Sequence, residues 1–286
     1  MGLVGMAPAL TGCLTHTYKV QKTRPADVVM NATLDQLLAQ VETRFEQTKS
    51  LNATVEIVAS EGGARVGQVI EHPSFSGYIF LRKPEDLRVL LRVPILGSQA
   101  LDMVSDGKSW KLWIPPRHVA MVGTSEVKDP SQHGLEGLRP AVIFDSLLVH
   151  GLGPDQIVAL NQDTRVFENE KKKKDLIEEP DYDLEILAQP KNQTAHTVRV
   201  IHIGRSTLLP YQQDIYGADG TVVTRAFYSN YQKFGDVPFP MKIEIRRPQD
   251  QYTLTITISK LTLNQPLEDD QFDLKIPEGV PIKTMN

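Results

Sequence analysis

Near the start of the chain, apolar residues recur with the period of an α-helix. They form one continuous stripe at Leu34, Leu37, Leu38, Val41 and Phe45. Thr33 precedes this stripe and Gln36 follows it three residues later, which is the pattern of a capping box at a helix N-terminus. The pattern therefore predicts an amphipathic helix over residues 33–49, with one face buried.

After this helix the apolar and polar residues alternate with the period of β-strands. Gly62-Gly63 and Asp106-Gly107 are hairpin signals, and Pro115-Pro116 interrupts the alternation. Strands joined by such short turns run antiparallel, because parallel strands need long crossovers. The pattern predicts a meander of seven strands, at residues 51–60, 65–71, 75–81, 87–93, 100–104, 109–114 and 118–122.

The middle of the chain predicts two short helices, after which strands resume. The first helix covers residues 140–150, with Pro140 at its start and Gly151 at its end, and the second begins at Gly153-Pro154 and reaches about Leu160. Later strands are predicted at residues 164–168, 181–188, 196–203, 211–216, 221–228, 241–246 and 252–259.

About fourteen strands and a few helices predict a mostly β fold of the α+β class. We expect an incomplete antiparallel β-barrel or a strongly curved sheet, wrapped around the N-terminal amphipathic helix and short lid helices. The expected domain organisation is a signal peptide remnant at residues 1–12, a lipid-anchored tether at 13–30 and a single half-barrel domain at 31–286.

Composition narrows the possible functions. The 286 residues carry a net charge of −4, which gives no electrostatic reason to bind nucleic acid. A single cysteine allows neither an intramolecular disulfide nor a cysteine-based metal cluster. After Leu10 no apolar run approaches the roughly eighteen residues that span a bilayer.

The sequence contains no convincing catalytic pattern. Ser105 and Lys108 have the spacing of some acyl enzymes, but they fall on a predicted hairpin tip where that chemistry needs a helix start. The seven histidines lack metal-binding spacing, and the glycines around Leu152 lack the dinucleotide-binding context. We therefore expect a protein that is not an enzyme and has no cofactor or metal.

The only cysteine, Cys13, ends the tetrapeptide Leu10-Thr11-Gly12-Cys13 behind an apolar segment. This is the pattern of a lipobox, in which the thiol is acylated and anchors the mature protein to a bacterial membrane. No Lys or Arg precedes Cys13, and the segment is shorter than a full signal peptide. The alternative is a cytosolic protein with one isolated cysteine and an apolar tail.

Three features in this order resemble the LolA/LolB family of periplasmic lipoprotein carriers. They are the amphipathic helix before an antiparallel meander, the stretch 88–97 (RVLLRVPILG) followed by 104–113 (VSDGKSWKLW), and the ending 267–280 with its Ile276-Pro277-Glu278-Gly279-Val280. The resemblance covers residues 33–124 best and the last fifty residues next, whereas residues 128–163 have no counterpart.

The resemblance implies an incomplete barrel, lidded by helices, that encloses an apolar cavity for acyl chains. It also implies a loop that contacts the membrane, at Ile95 and Leu96; alternatively, these two residues cap the core at a barrel end. Leu14, which is not Asp, implies sorting of the anchored protein to the outer membrane, facing the periplasm.

Two functions remain open at this stage. The first is a membrane-anchored envelope lipoprotein that binds lipid or lipoprotein acyl chains, for transport or outer-membrane localisation. The second is a regulatory or envelope-assembly lipoprotein that uses the same barrel to sense a ligand or hold a protein partner.

Overall fold

The structure is a computed structural model, and it describes residues 17–125, 138–169, 172–188 and 194–285. Sixteen strands and two α-helices make up this part of the chain. The helices are α1 (Leu34–Gln47) and α2 (Pro140–Leu147). The strands are β1 (Thr23–Pro25), β2 (Ser50–Gly63), β3 (Gln68–Glu71), β4 (Phe75–Arg82), β5 (Asp86–Arg92), β6 (Gln99–Ser105), β7 (Ser109–Ile114), β8 (Val119–Thr124), β9 (Gln156–Asn169), β10 (Lys172–Ala188), β11 (Thr197–Gly204), β12 (Leu209–Tyr216), β13 (Val222–Phe234), β14 (Val237–Arg247), β15 (Tyr252–Leu263) and β16 (Ile282–Met285).

All sixteen strands belong to one sheet that does not close into a barrel. Its main path is β1-β10-β11-β12-β13-β14-β15-β2-β4-β5-β6-β7-β8-β16, while β3 pairs with β2 and β9 pairs with β10. The pairs β1–β10 and β8–β16 are parallel, and the other pairs are antiparallel. The predicted mostly β fold with an open, curved sheet is therefore confirmed.

Two meanders form this sheet, and their junction is the pairing of β15 with β2. Residue Leu254 of β15 lies opposite Ala59 of β2, and Ile256 lies opposite Ile57. All four side chains are buried in the main core. The clean alternation of the last long strand thus buries its apolar residues against the first meander.

Helix α1 begins at the predicted capping box. The Gln36 backbone N–H donates to Thr33 Oγ1 at 3.3 Å, and the Thr33 N–H donates to Gln36 Oε1 at 2.9 Å. Leu37 and Val41 are buried in a cluster with Leu184 of β10 and Ile201 of β11. The apolar stripe of α1 therefore covers the β10–β11 part of the inner face of the sheet.

Helix α2 covers another part of the same face. Pro140 occupies the first turn, where its missing N–H costs no hydrogen bond. Val142, Ile143 and Leu147 are buried in the main core together with side chains of both meanders. The helix ends at Leu147, three residues before the predicted end.

The second predicted short helix, from Gly153-Pro154 to about Leu160, is wrong. Residues 156–169 form the single strand β9, in which Ile157 lies opposite Leu187 and Leu160 lies opposite Leu184. Pairing along β10 outweighs the local preference of this short apolar segment, because propensity is a weak determinant beside tertiary contacts.

Part of the predicted tether is attached to the sheet. Thr23–Pro25 form β1, and the Ala26 N–H donates to the Glu178 carbonyl at 3.0 Å. The Met30 N–H donates to the Arg205 carbonyl at 2.8 Å. Any free tether after Cys13 therefore ends at about residue 22.

Candidate functional site

The loop after β5 places both predicted contact residues in solvent. The exposed fraction is 105 % for Ile95 and 78 % for Leu96. The loop is closed by hydrogen bonds from the Val93 N–H to the Ser98 carbonyl at 2.7 Å and from the Gly97 N–H to the Val93 carbonyl at 3.0 Å. Neither Ile95 nor Leu96 caps the core, which removes that alternative.

Backbone geometry holds Ile95 outward at an energetic cost. Its φ is 67°, and the Leu96 N–H donates to the Pro94 carbonyl at 2.7 Å across it. A positive φ with a hydrogen bond between residues two apart is characteristic of the strained γ-turn. For a β-branched residue such a conformation costs about 1–2 kcal/mol. Strain of this kind is often found at functional sites.

A second group of exposed apolar side chains lies at the same end of the sheet. β4 pairs with β5 as far as Ser76 and Arg92, so the 93–98 loop leaves the sheet beside the start of β4. β3, which precedes β4, continues outward along β2 at this end. Val66, Val69 and Ile70 of the β2–β3 hairpin are 57 %, 63 % and 52 % exposed. Loop and hairpin together give this end an apolar surface.

On the inner face, an apolar pocket lies between the end of α1, the segment after α2, and strands β13 and β14. Its volume is about 50 Å³. Most of its lining side chains are apolar, among them Val41, Phe45, Leu147, Leu148, Tyr228 and Phe239. A wider groove of about 380 Å³ lies beside it, along residues 39–47 of α1 and Leu209. Arg44 and Pro238 line both spaces.

Buried polar groups fix the segment after α2 to the sheet. Arg199 of β11 is 5 % exposed, and its Nη2 donates to the Gly151 carbonyl at 2.6 Å. Its Nη1 lies 2.5 Å from Nε2 of His150. Burial, reinforced by the charge of Arg199, lowers the pKa of His150 to about 4, so this ring is neutral at pH 7 and can accept the hydrogen bond.

Two more groups in this cluster have shifted pKa values. Burial lowers the pKa of Arg199 to about 10, against the opposing charge of Asp145. Burial raises the pKa of the Asp145 carboxyl to about 6, although the Arg199 charge acts in the opposite direction. The guanidinium of Arg199 and the neutral imidazole of His150 thus attach the segment after α2 to the sheet, and the Asp145 carboxyl interacts with Arg199 through its charge.

The C-terminal motif lies on the outer face of the sheet. Leu274 and Val280 are buried in a small cluster with Val104, Trp113 and Ala120 of β6, β7 and β8. This segment covers the back of the first meander and leaves the inner face to the helices.

The other residues singled out in the sequence take no part in such a site. Ser105 and Lys108 lie on the β6–β7 hairpin, where Ser105 Oγ accepts from the Gly107 N–H at 3.1 Å. Among the described residues no group of His, Cys, Asp and Glu could hold a metal ion. Cys13 lies outside the described residues.

No helix in the described ranges is both long enough and apolar enough to cross a membrane.

The described residues contain two candidate sites. One is the pocket and groove beside α1, and the other is the apolar end of the sheet around the 93–98 loop. The loop residues of the second site are predicted from the sequence, whereas Arg44 is not, although Leu37, Val41 and Arg44 have the i, i+4, i+7 spacing of one helix face.

The chain shares its fold with solved structures. It is similar to the LolA superfamily protein NE2245 from Nitrosomonas europaea, with 15 % identity, a TM-score of 0.50, and coverage of 85 % of this chain and 99 % of that chain. It is also similar to a DUF1329 family protein from Desulfovibrio piger, with 16 % identity, a TM-score of 0.50, and coverage of 83 % and 94 %.

At these identities the similarities establish the fold, and the LolA-like fold predicted from the sequence is confirmed. A family model described as an uncharacterized protein matches residues 159–276, from β9 into the C-terminal segment. No curated protein matches the chain by sequence.

Proposed function

We propose that this protein is a bacterial envelope lipoprotein that binds the acyl chains of a lipid or lipoprotein, for transport or outer-membrane localisation. The observation that carries the proposal is the apolar pocket beneath α1 and the α2 segment, on the inner face of a LolA-like sheet. Its mechanism is binding and transfer rather than bond cleavage.

Hydrophobic burial would supply the binding free energy. Each CH₂ group that leaves water contributes about 0.8 kcal/mol, so a sixteen-carbon chain contributes on the order of 10 kcal/mol before entropic costs. The pocket of about 50 Å³ is smaller than the roughly 300–1,000 Å³ typical of ligand sites. Loading of a longer chain therefore requires the side chains that line the pocket to move apart.

The exposed loop would bring this pocket to a membrane. Ile95 and Leu96 would each contribute roughly 1.5–3 kcal/mol on leaving water for acyl chains. This is enough to favour docking without permanent insertion. A lipid on Cys13 would provide the anchor, and the stretch from Cys13 to β1 would reach at most about 35 Å.

Lipid extraction tests the binding function. The full chain with Cys13→Ser, which cannot be acylated, is purified from the soluble fraction of bacterial cells and extracted with organic solvent for mass spectrometry. We expect co-purified lipid in near-stoichiometric amount, and displacement of that lipid by an added fluorescent fatty-chain probe. Absence of both lipid and probe binding would reject the proposal in favour of the regulatory or assembly alternative.

Vesicle flotation tests the loop. Ile95→Ser with Leu96→Ser should weaken binding of the unlipidated chain to vesicles and leave its thermal unfolding cooperative. The matched control is Ile157→Ser with Val166→Ser, which removes two apolar side chains that are 42 % and 52 % exposed on β9. Equal vesicle binding of both variants would show that the loop is not the contact surface.

Membrane fractionation tests the anchor. Cys13→Ser should release the otherwise intact protein from the membrane fraction, whereas the wild-type chain should stay with it. A Cys13→Ser protein that remains membrane-bound after a high-salt wash would contradict the assignment.

A further inference from the structure

Arg44, in the last turn of α1, has a buried guanidinium without a counter-ion among the described residues. Its Nε donates to the Gln40 carbonyl at 2.9 Å. Nη1 and Nη2 are both buried and have no hydrogen-bond partner in the part of the chain that the structure describes. Burial lowers the pKa of this guanidinium, yet the group stays protonated at neutral pH. A buried charge without a partner lowers the stability of the fold, so its presence in a native protein indicates a role other than stability.

Capping of its own helix does not explain Arg44. Basic side chains near a helix C-terminus often donate to the last carbonyls. Here Thr48 Oγ1 donates to the Arg44 carbonyl at 3.0 Å, and the Thr48 N–H donates to the Phe45 carbonyl at 3.1 Å. Asn264 Nδ2 donates to the Gln47 carbonyl at 2.8 Å. Other residues thus satisfy these carbonyls, and the terminal nitrogens of Arg44 have no partner in the part of the chain that the structure describes.

The position of Arg44 suggests what it faces. It lies between the apolar pocket and the wider groove, and lines both. The ionisable side chain that interacts with Arg44 through its charge is Tyr231. It donates to the Pro210 carbonyl at 2.7 Å, and burial raises its pKa, so it carries no charge at neutral pH. Asp236 lines the groove as an exposed residue, and the structure records no ion pair between it and Arg44.

We propose that Arg44 binds the anionic head group of an amphiphile, a carboxylate or a phosphate, whose hydrocarbon chain enters the apolar pocket. The inference rests on the proposed function and adds the charge of the ligand. The two terminal nitrogens of a guanidinium match two oxygens of a carboxylate or phosphate. The groove of about 380 Å³ has room for the head group, and Phe45 and Phe239 line the way inward.

Selectivity for anionic over neutral amphiphiles is the measurable consequence. The full chain with Cys13→Ser is titrated with dodecanoate, dodecyl phosphate and dodecanol, and binding is followed by displacement of an uncharged fluorescent probe. Charge-assisted hydrogen bonds should make the better anion bind about 10- to 100-fold more tightly than dodecanol. The stronger of the two anions identifies the source as a fatty acid or a phosphorylated lipid.

Variants of Arg44 test whether this residue is the cause. Arg44→Met should abolish the preference for anions and leave the affinity for dodecanol unchanged. Arg44→Lys keeps the charge but loses the paired geometry, so it should retain part of the preference. Arg92→Gln, which makes the same change in net charge at an exposed position on β5, is the control and should behave as wild type.

Thermal unfolding separates ligand binding from a structural role. Without ligand, Arg44→Met should be at least as stable as wild type, because it removes an unpaired buried charge. Added dodecanoate or dodecyl phosphate should raise the Tm of wild type and not that of Arg44→Met. A lower Tm for Arg44→Met, matched by Asp236→Asn, would show that Arg44 pairs with Asp236, and would overturn the proposal.

The same binding measurements distinguish a failure of the Arg44 proposal from a failure of the proposed function. If all three amphiphiles bind equally to wild type, or if Arg44→Met keeps the preference for anions, the inference about Arg44 is wrong and the proposed function stands. If none of the three binds and no lipid is extracted, the proposed function fails as well.

Discussion

Arg88 of β5 and Asp102 of β6 form a bidentate ion pair across neighbouring strands. Arg88 Nε lies 3.0 Å from Asp102 Oδ1, and Nη2 lies 2.7 Å from Oδ2. The third nitrogen, Nη1, donates to the Gln271 carbonyl at 3.0 Å, and so ties the C-terminal segment to the strands. The Asp102 side chain is only 3 % exposed, whereas that of Arg88 is 20 % exposed.

Removing the buried partner of this ion pair, Asp102, should destabilise the protein. Asp102→Ala leaves the Arg88 guanidinium without its partner, and we expect the free energy of unfolding to fall by about 2–4 kcal/mol. Chemical denaturation measures this loss. The control is Asp269→Ala, which removes an Arg82 partner whose side chain is 95 % exposed and should change stability by less than about 1 kcal/mol. Equal effects of the two substitutions would contradict the assigned role of burial.

The sequence was sufficient to predict the elements whose local signals agree with their tertiary contacts. The capping box at Thr33 and the alternation in β15 both gave elements of the correct type, because the face that each pattern marks as apolar is the face that the fold buries. The LolA-like fold followed from the order of such elements.

The errors lie where distant contacts decide the structure. Residues around Ile157 were predicted as helix because a short apolar run after Gly-Pro suits a helix start, whereas pairing with β10 makes them strand. The sequence does not predict β1, because Thr23, Arg24 and Pro25 carry no strand pattern of their own and pair in the sheet only by parallel addition to β10.

The candidate site was predictable in part. Pro94 and Gly97 indicate that the chain leaves the sheet after β5, but they do not show whether Ile95 points outward or inward. Arg44 occupies a position of the buried helix face, a signal available in the sequence. Its unpartnered nitrogens, however, depend on where Thr48 and Asn264 place their donors, which only the three-dimensional structure shows.

Packing of α1 on the sheet can be tested at Leu37, which is fully buried among Leu184 and Ile201. Leu37→Asp would bury an unpaired charge and should lower the free energy of unfolding by at least about 4 kcal/mol. Ala39→Asp, on the exposed face of the same helix, should cost about 0.5 kcal/mol from helix propensity alone. Near-native thermal stability of Leu37→Asp would refute the packing.

The buried cluster around Arg199 predicts two opposite pH dependences. Asp145 has a folded pKa of about 6, above its ordinary 3.8, so between these values the folded state binds more protons and stability falls as pH rises. His150 has a folded pKa of about 4, below its ordinary 6.5, so between these values the unfolded chain binds more protons and stability rises with pH. In the wild-type chain the two contributions largely cancel between pH 4 and 6.

Single substitutions should separate these contributions. Relative to wild type, Asp145→Asn should gain stability as pH rises from 4 to 6, by up to about 1.4 kcal/mol per pH unit. His150→Gln should lose stability over the same range, because only the Asp145 contribution remains. Denaturant unfolding at pH 4, 5, 6 and 7 measures both slopes. Parallel profiles for the two variants would show that these groups do not titrate as the structure indicates.

The positive φ of Ile95 should lower the free energy of unfolding of the protein. An asparagine tolerates positive φ far better than a β-branched residue does, so Ile95→Asn should raise the free energy of unfolding by about 1 kcal/mol. Leu96→Asn is the matched control, because it removes a similar exposed side chain at a residue without positive φ, and it should leave stability unchanged.

Both substitutions remove exposed apolar surface from the loop, so both should weaken vesicle binding of the unlipidated chain, although only Ile95→Asn stabilises it. Such a result would separate the two properties, since the strained residue would lower stability and increase membrane affinity. Thermal unfolding and vesicle flotation on the same preparations measure the pair of effects. If Ile95→Asn lowers the Tm, the loop is not strained; if its vesicle binding equals that of wild type, Ile95 does not contact the membrane.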